Sequence, residues 1–115
     1  MKDGIKYEFE DSERTIIMKS LNMLRDYLTS QDRPTDSVDN LLIKVNSKSK
    51  LEVDIYDAKI IIFALNNLRL RYKNENSSRE DRMELSKVMD KLIDGTESKK
   101  KLLLRRTPRG NGRRY

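Results

Sequence analysis

No cysteine, histidine or tryptophan occurs among the 115 residues of this chain, and there are only four glycines and two prolines. Without cysteine there are no disulfides, no thiolate nucleophile and no sulfur-ligated metal. Without histidine there is no imidazole base and no Ser-His-Asp arrangement. A metal would have to be held by carboxylates and carbonyls alone, and catalysis would fall to Asp, Glu, Lys, Arg, Tyr, Ser or Thr. Long apolar runs are missing too: none approaches the roughly 20 residues of a membrane-spanning helix. The opening Met1-Lys2-Asp3-Gly4 lacks the apolar core of a secretory leader. The expectation is a cytoplasmic protein that does not insert into membranes.

What the chain has in abundance is charge. Lys, Arg, Asp and Glu make up 38%, against 36% for the apolar types, and the mean hydropathy is -0.84. The net charge of +6 is unevenly placed. Between Ser98 and Tyr115 stand eight basic residues and no acid: Lys99, Lys100, Lys101, Arg105, Arg106, Arg109, Arg113 and Arg114. The remaining 97 residues hold 17 basic and 19 acidic side chains, a net of -2. This divides the chain into a faintly acidic body, 1–97, and a basic C-terminal tail, 98–115. Such asymmetry marks an interaction segment. Pro108, Gly110 and Gly112 predict a flexible end.

The body carries an internal echo at an offset of 44 residues. Windows 16–28 and 60–72 share six identities, Ile16-Ile17 with Ile60-Ile61, Leu21-Asn22 with Leu65-Asn66, and Leu24-Arg25 with Leu68-Arg69. Composition alone yields about one. Each unit, about 5–48 and 49–95, opens on an alternating run that predicts an extended segment, at 5–9 and at 51–55. Each then shifts to helical spacing: Ile17, Leu21, Leu24 and Leu28 in the first, Ile61, Leu65, Leu68 and Tyr72 in the second. Second, shorter helices follow, lined by Val38, Leu41, Leu42 and Val45, and by Leu85, Val88, Met89 and Leu92, with Gly95 as the expected stop. Asp11 or Ser12, Asp54, Thr35 or Asp36, and Ser77 or Ser78 are the expected N-caps. The predicted fold is mainly α: two αα-hairpins from a duplicated unit, packed as a four-helix domain. In an alternative architecture the two extended segments pair as a ribbon against the helices.

The run from Phe9 to Arg25, the Thr35-Asp36-Ser37-Val38-Asp39 turn with Leu41-Leu42, and the echo from Val53 to Arg69 resemble small helical-hairpin proteins of Firmicute bacteria and their phages. The likeness spans roughly residues 5–94 and omits the tail. It implies a hairpin fold and a bacterial or phage origin. Because those proteins carry no assigned activity, it implies no site residues.

Several features have both a functional and a structural reading. Asn22 with Arg25, and Asn66 with Arg69, are either paired recognition points or side chains that tie each hairpin together, and the structural reading is preferred. The acids at Glu8, Glu10, Asp11 and Glu13, and at Glu52, Asp54 and Asp57, suit helix starts better than a cation, for no calcium loop accompanies them. Ile60-Ile61-Ile62-Phe63-Ala64-Leu65 is apolar on all sides. Its helix is read as the buried centre of the bundle, with cover by a second copy in a homodimer as the alternative. Phe63 in place of Lys19 and Leu70 in place of Asp26 are the changes from the first unit that matter.

The expected function is therefore that of a non-enzymatic accessory or regulatory protein of phage or mobile-element origin. It would bind nucleic acid, DNA or RNA, or a nucleoprotein complex, through the eight basic residues of the tail, with no metal or cofactor. The alternative is a protein-binding inhibitor or adaptor that meets its target with the hairpin surface.

Overall fold

The computed structural model describes residues 4–47, 50–75 and 78–106, with side chains described as far as Ser98. The elements run β1 (Ile5–Glu8), α1 (Asp11–Ser30), α2 (Asp36–Ser47), β2 (Lys50–Val53), α3 (Ile55–Asn74) and α4 (Arg79–Arg106). The fold is mainly α, as expected, and the alternating segments pair: β1 and β2 form an antiparallel two-stranded sheet. Its register sets Ile5 opposite Val53 and Tyr7 opposite Leu51, all four buried, while Lys6 faces Glu52 and Glu8 faces Lys50 on the exposed side. One face of the ribbon is thus wholly apolar and the other pairs opposite charges, which stabilises this register over a slip by one residue. The second extended segment ends at Val53 rather than 55, because Asp54 caps α3: its carboxylate accepts the Asp57 N–H at 2.7 Å.

At the head of α1 the cap is Glu10, not Asp11 or Ser12. The Glu10 N–H donates to the Glu13 carboxylate at 2.8 Å, which satisfies a donor left over at the helix start. The helix ends in a turn where Asp32 takes a φ of 57° and the Arg33 N–H reaches back to the Leu28 carbonyl at 2.9 Å. Aspartate is among the few residues that tolerate this left-handed conformation. The Ser78 hydroxyl accepts the Asp81 N–H at 3.1 Å and starts α4.

α1 and α3 each span 20 residues, and they make the most extensive helix–helix packing in the molecule. Ile17, Leu21 and Leu24 on α1 and Ile61, Leu65 and Leu68 on α3 are buried in one core with Val38, Leu41 and Val45 of α2 and Leu85, Val88 and Leu92 of α4. Leu28, Leu42 and Met89 pack at its margin. The ribbon contributes Ile5, Tyr7, Leu51 and Val53 to the same cluster, and Phe9 stacks on Tyr7 with ring centroids 5.6 Å apart.

Two further expectations are corrected. α3 is not the buried centre of the bundle: it packs on α1, α4, α2 and β2, and its opposite side is open, with Tyr56, Phe63 and Leu70 exposed. Nor does Gly95 stop the last helix, for α4 continues through it to Arg106. A helical glycine costs about 1 kcal/mol, and the Lys, Leu and Arg residues that follow are strong helix formers. Gly95 serves a close approach instead: a Cβ there would lie 2.5 Å from the Tyr7 ring. The helix therefore crosses the 97/98 boundary drawn from charge, and residues 107–115 lie outside the described residues.

Leu65→Ala should cost 2–5 kcal/mol in urea unfolding, because it opens a cavity at a fully buried site. Gly95→Ala should destabilise, despite the better helix propensity of alanine, by about 1–2 kcal/mol, since Tyr7 must be displaced. Combining it with Tyr7→Ala should remove that penalty relative to Tyr7→Ala alone.

Candidate nucleic-acid interface

Five of the eight candidate residues, Lys99, Lys100, Lys101, Arg105 and Arg106, lie in the last turns of α4, and Arg109, Arg113 and Arg114 lie outside the described residues. At about 1.5 Å per residue, Lys99 and Arg106 are separated by roughly 10 Å along the helix axis. That is about three phosphate steps along one strand of duplex DNA. Cations are favoured at this end of a helix, where the carbonyl dipoles leave partial negative charge.

The direction of that helix is set by contacts between α4 and the beginning of the chain. The Tyr7 hydroxyl donates to the Leu92 carbonyl at 3.0 Å, and burial pushes the phenol pKa up to about 12. Lys91 donates to the Glu8 carbonyl at 3.0 Å and to the Glu13 carboxylate at 2.9 Å, and its ammonium lies 5.2 Å from the Phe9 ring centre. Glu13 is wholly buried. Burial pushes its carboxyl up, but the Glu10 N–H, the Lys91 ammonium and the charge of nearby Lys87 together outweigh this and hold it below its usual range. The sequence grouped Glu13 with the other acids of the first helix start, and nothing in its local pattern singles it out from Glu10 or Asp11.

The remaining sequence candidates are largely occupied within the fold. The Arg25 guanidinium meets the Asp39 carboxylate at 2.9 Å and joins α1 to α2, and Arg69 donates to Asn66 at 2.6 Å within α3. Asp57 lies 3.8 Å from the Lys44 ammonium, yet burial and the neighbouring Asp54 push its carboxyl up. Among the described residues, no group of three or more metal-ligating side chains is placed to hold a metal ion, and no helix is long and apolar enough to cross a membrane. An open groove of about 720 Å³ runs between the outer face of the ribbon and α2, bordered by Lys6, Glu8, Ile43, Lys44 and Lys50. Lys6 and Lys50 stand opposite Glu52 and Glu8 across the ribbon, and Lys44 lies 3.8 Å from the Asp57 carboxylate, so the groove carries little net positive charge.

The sequence offered an outward apolar side of α3 only as the alternative to burial, and the structure leaves Tyr56, Phe63 and Leu70, seven residues apart, exposed. Lys59, Arg69 and Lys73 are exposed on the same helix. Comparison with known proteins returns no matching family model, no matching curated protein and no matching solved structure.

Glu13→Gln should lower stability by about 1–3 kcal/mol at neutral pH, because the Lys91 ammonium loses its anionic partner. The folded pKa of Glu13 is lowered, so the contribution of its ionised form is fully present above the unfolded value of about 4.5 and is lost as pH falls through the lower folded value. Asp57, with a raised pKa, acts in the opposite sense. The gap between wild type and Glu13→Gln isolates the Glu13 effect. In unfolding curves it should be widest above pH 4.5 and should narrow below.

Proposed function

We propose that this chain is a non-enzymatic accessory or regulatory protein, of phage or mobile-element origin, that holds nucleic acid or a nucleoprotein complex through residues 98–115. The observation that carries the reading is the segregation of charge: eight cations without an acid follow a body of net charge -2. An arginine-rich segment attracts a phosphate polymer by releasing its condensed counterions, and guanidinium groups pair with phosphate in a bidentate manner. The continuity of α4 supports the same reading, since it joins the first five cations to a packed body by a helix rather than a hinge. Recognition is of phosphate more than of bases, for the segment's only aromatic residue is Tyr115. The two strand-then-helix-pair units, whose long helices begin 44 residues apart, support descent from one duplicated hairpin unit.

The test is equilibrium titration of a labelled DNA duplex at several salt concentrations. With about five to eight neutralised phosphates, the logarithm of affinity should fall against the logarithm of salt with a slope of roughly -4 to -7, and less steeply on a single strand. Replacing Arg105, Arg106, Arg113 and Arg114 with Ala should flatten the slope by about one unit for each phosphate no longer neutralised, similarly on unrelated sequences. A salt-insensitive affinity, or binding unchanged by the four replacements, would move the function onto the helical body and favour a protein-binding adaptor.

A further inference from the structure

Folding leaves one apolar row without a partner among the described residues. On α3, Tyr56, Phe63 and Leu70 are 68%, 55% and 50% exposed. Ile60 and Asn67, both half-buried, stand between them, so the row Tyr56, Ile60, Phe63, Asn67, Leu70 steps by 4, 3, 4 and 3 residues. That spacing keeps a seam continuous between two helices lying side by side. The opposite side of α3, with Ile61, Leu65 and Leu68, is already buried in the core. The matching positions of α1 hold Ser12, Ile16, Lys19, Met23 and Asp26, with Lys19 and Asp26 exposed, so only the second unit carries the row.

We propose that this row is the seam of a homodimer in which α3 packs in parallel, in register, against α3 of a second copy. Three observations select this occupant. Asn67 is the single polar member of the row, and in a parallel pair it meets its own counterpart, amide to amide. Against an apolar partner helix it would be buried without a hydrogen-bond partner. Charge selects the orientation. One edge of the row carries Lys59, Asn66 and Lys73, and antiparallel packing would set that edge against itself, Lys59 beside the partner's Lys73, while the opposite charges it would bring together on the other edge, Asp57 and the partner's Arg71, are already paired within each protomer with Lys44 and Glu75. Parallel packing sets it against the other edge, with Asn66 beside the partner's Arg71 and no like charges opposed. Area sets the strength. The exposed parts of the two aromatics and Leu70 supply on the order of 300 Å² of apolar surface per protomer. With Ile60, Asn67 and the stems of the flanking residues, the interface reaches roughly 1,000 Å² in total, at the low end for specific association.

A two-fold axis along α3 brings the C-terminal ends of both α4 helices to the same end of the assembly. One dimer then offers two basic segments to one nucleic acid, a consequence that rests on the function proposed above, whereas the dimer itself does not.

Sedimentation equilibrium from about 1 to 200 μM brackets the affinity of so small an interface. Wild type should pass from monomer to dimer across this range. The double variant Phe63→Lys, Leu70→Asp, which copies Lys19 and Asp26 of α1, should stay monomeric throughout and keep the circular dichroism and dilute-solution melting of the wild type. Because the chain has no cysteine, Leu70→Cys introduces a single thiol. Mild oxidation should crosslink it into a covalent dimer, whereas antiparallel packing would hold the two thiols about 15 Å apart along the seam. A wild type that is monomeric at every concentration would overturn the proposal, as would a dimer that survives the double variant or one in which Leu70→Cys does not crosslink. The two readings fail separately. If the function is right and the dimer wrong, wild type and double variant bind duplex DNA with the same salt-dependent affinity at all protein concentrations. If the dimer is right and the function wrong, the wild type dimerises but does not bind.

Discussion

A buried carboxylate governs how the two ends of this chain meet. Glu13 is sealed from water at the start of α1, and the penalty of placing a charge there is offset by one N–H, that of Glu10, and one ammonium, that of Lys91. Lys91 belongs to α4 and is the only one of these groups that comes from the far end of the sequence. Meeting Glu13 brings it within reach of the Glu8 carbonyl and over the Phe9 ring. One residue later, Leu92 accepts the Tyr7 hydroxyl, and four residues on, Gly95 admits the Tyr7 ring. The polar pair thus sets the azimuth of α4, and the aromatic contact sets how closely it approaches. An apolar pair would bury comparable surface but would tolerate rotation of α4, whereas a charged pair in a dry site leaves its carboxylate stranded if the helix turns.

The ribbon is the element that makes this meeting possible. Two four-residue strands are too short to stand alone in water, and here they survive because Ile5, Tyr7, Leu51 and Val53 all enter the helical core. In return they bring the starts of α1 and α3 together, since each strand leads into its helix within two residues. The long helices are then fixed at their heads by the ribbon and along their lengths by Leu21, Leu24, Leu65 and Leu68. α2 and α4 close over what remains.

Much of this arrangement was legible in the sequence because it follows from periodicity. The spacing of Ile17, Leu21 and Leu24, and its echo at Ile61, Leu65 and Leu68, located both long helices and their buried faces. Alternation in Ile5–Phe9 and Leu51–Ile55 located the strands to within two residues, and the misplaced end reflects the capping strength of Asp54. What stayed hidden depends on tertiary neighbours. Gly95 carries a local stop signal, but the Tyr7 ring, 88 residues away in sequence, takes the place of its side chain. Glu13 resembles any acid in a first helical turn until Lys91 arrives from α4. The all-round apolarity of Ile60–Leu65 fitted either burial or cover by a second copy, and only the fold shows that Tyr56, Phe63 and Leu70 on this helix stay exposed in the single chain. Of the candidate site, the sequence located the charge, and the fold supplied the helix that carries its first half.

The separation of charge along the chain acquires a mechanical meaning from that helix. A cationic arm hinged to an acidic body would be drawn back onto its own carboxylates, and a nucleic acid would then have to compete with them. The last acid is Glu97, and α4 runs on for nine residues to Arg106, about 13 Å of helix axis. At physiological ionic strength the screening length is about 8 Å. The far end of the helix therefore lies beyond the effective reach of Glu97 and of the acids that precede it along α4, while its backbone geometry spares it the entropy cost of being ordered afresh on binding. Were Gly95 a true stop, the five cations from Lys99 to Arg106 would sit on a loose tether, and Arg105 and Arg106 would lose their fixed distance from Glu97. The close approach of Tyr7 accounts for glycine at this point of an unbroken helix, and on the function proposed above that continuity is what holds the cations away from the body.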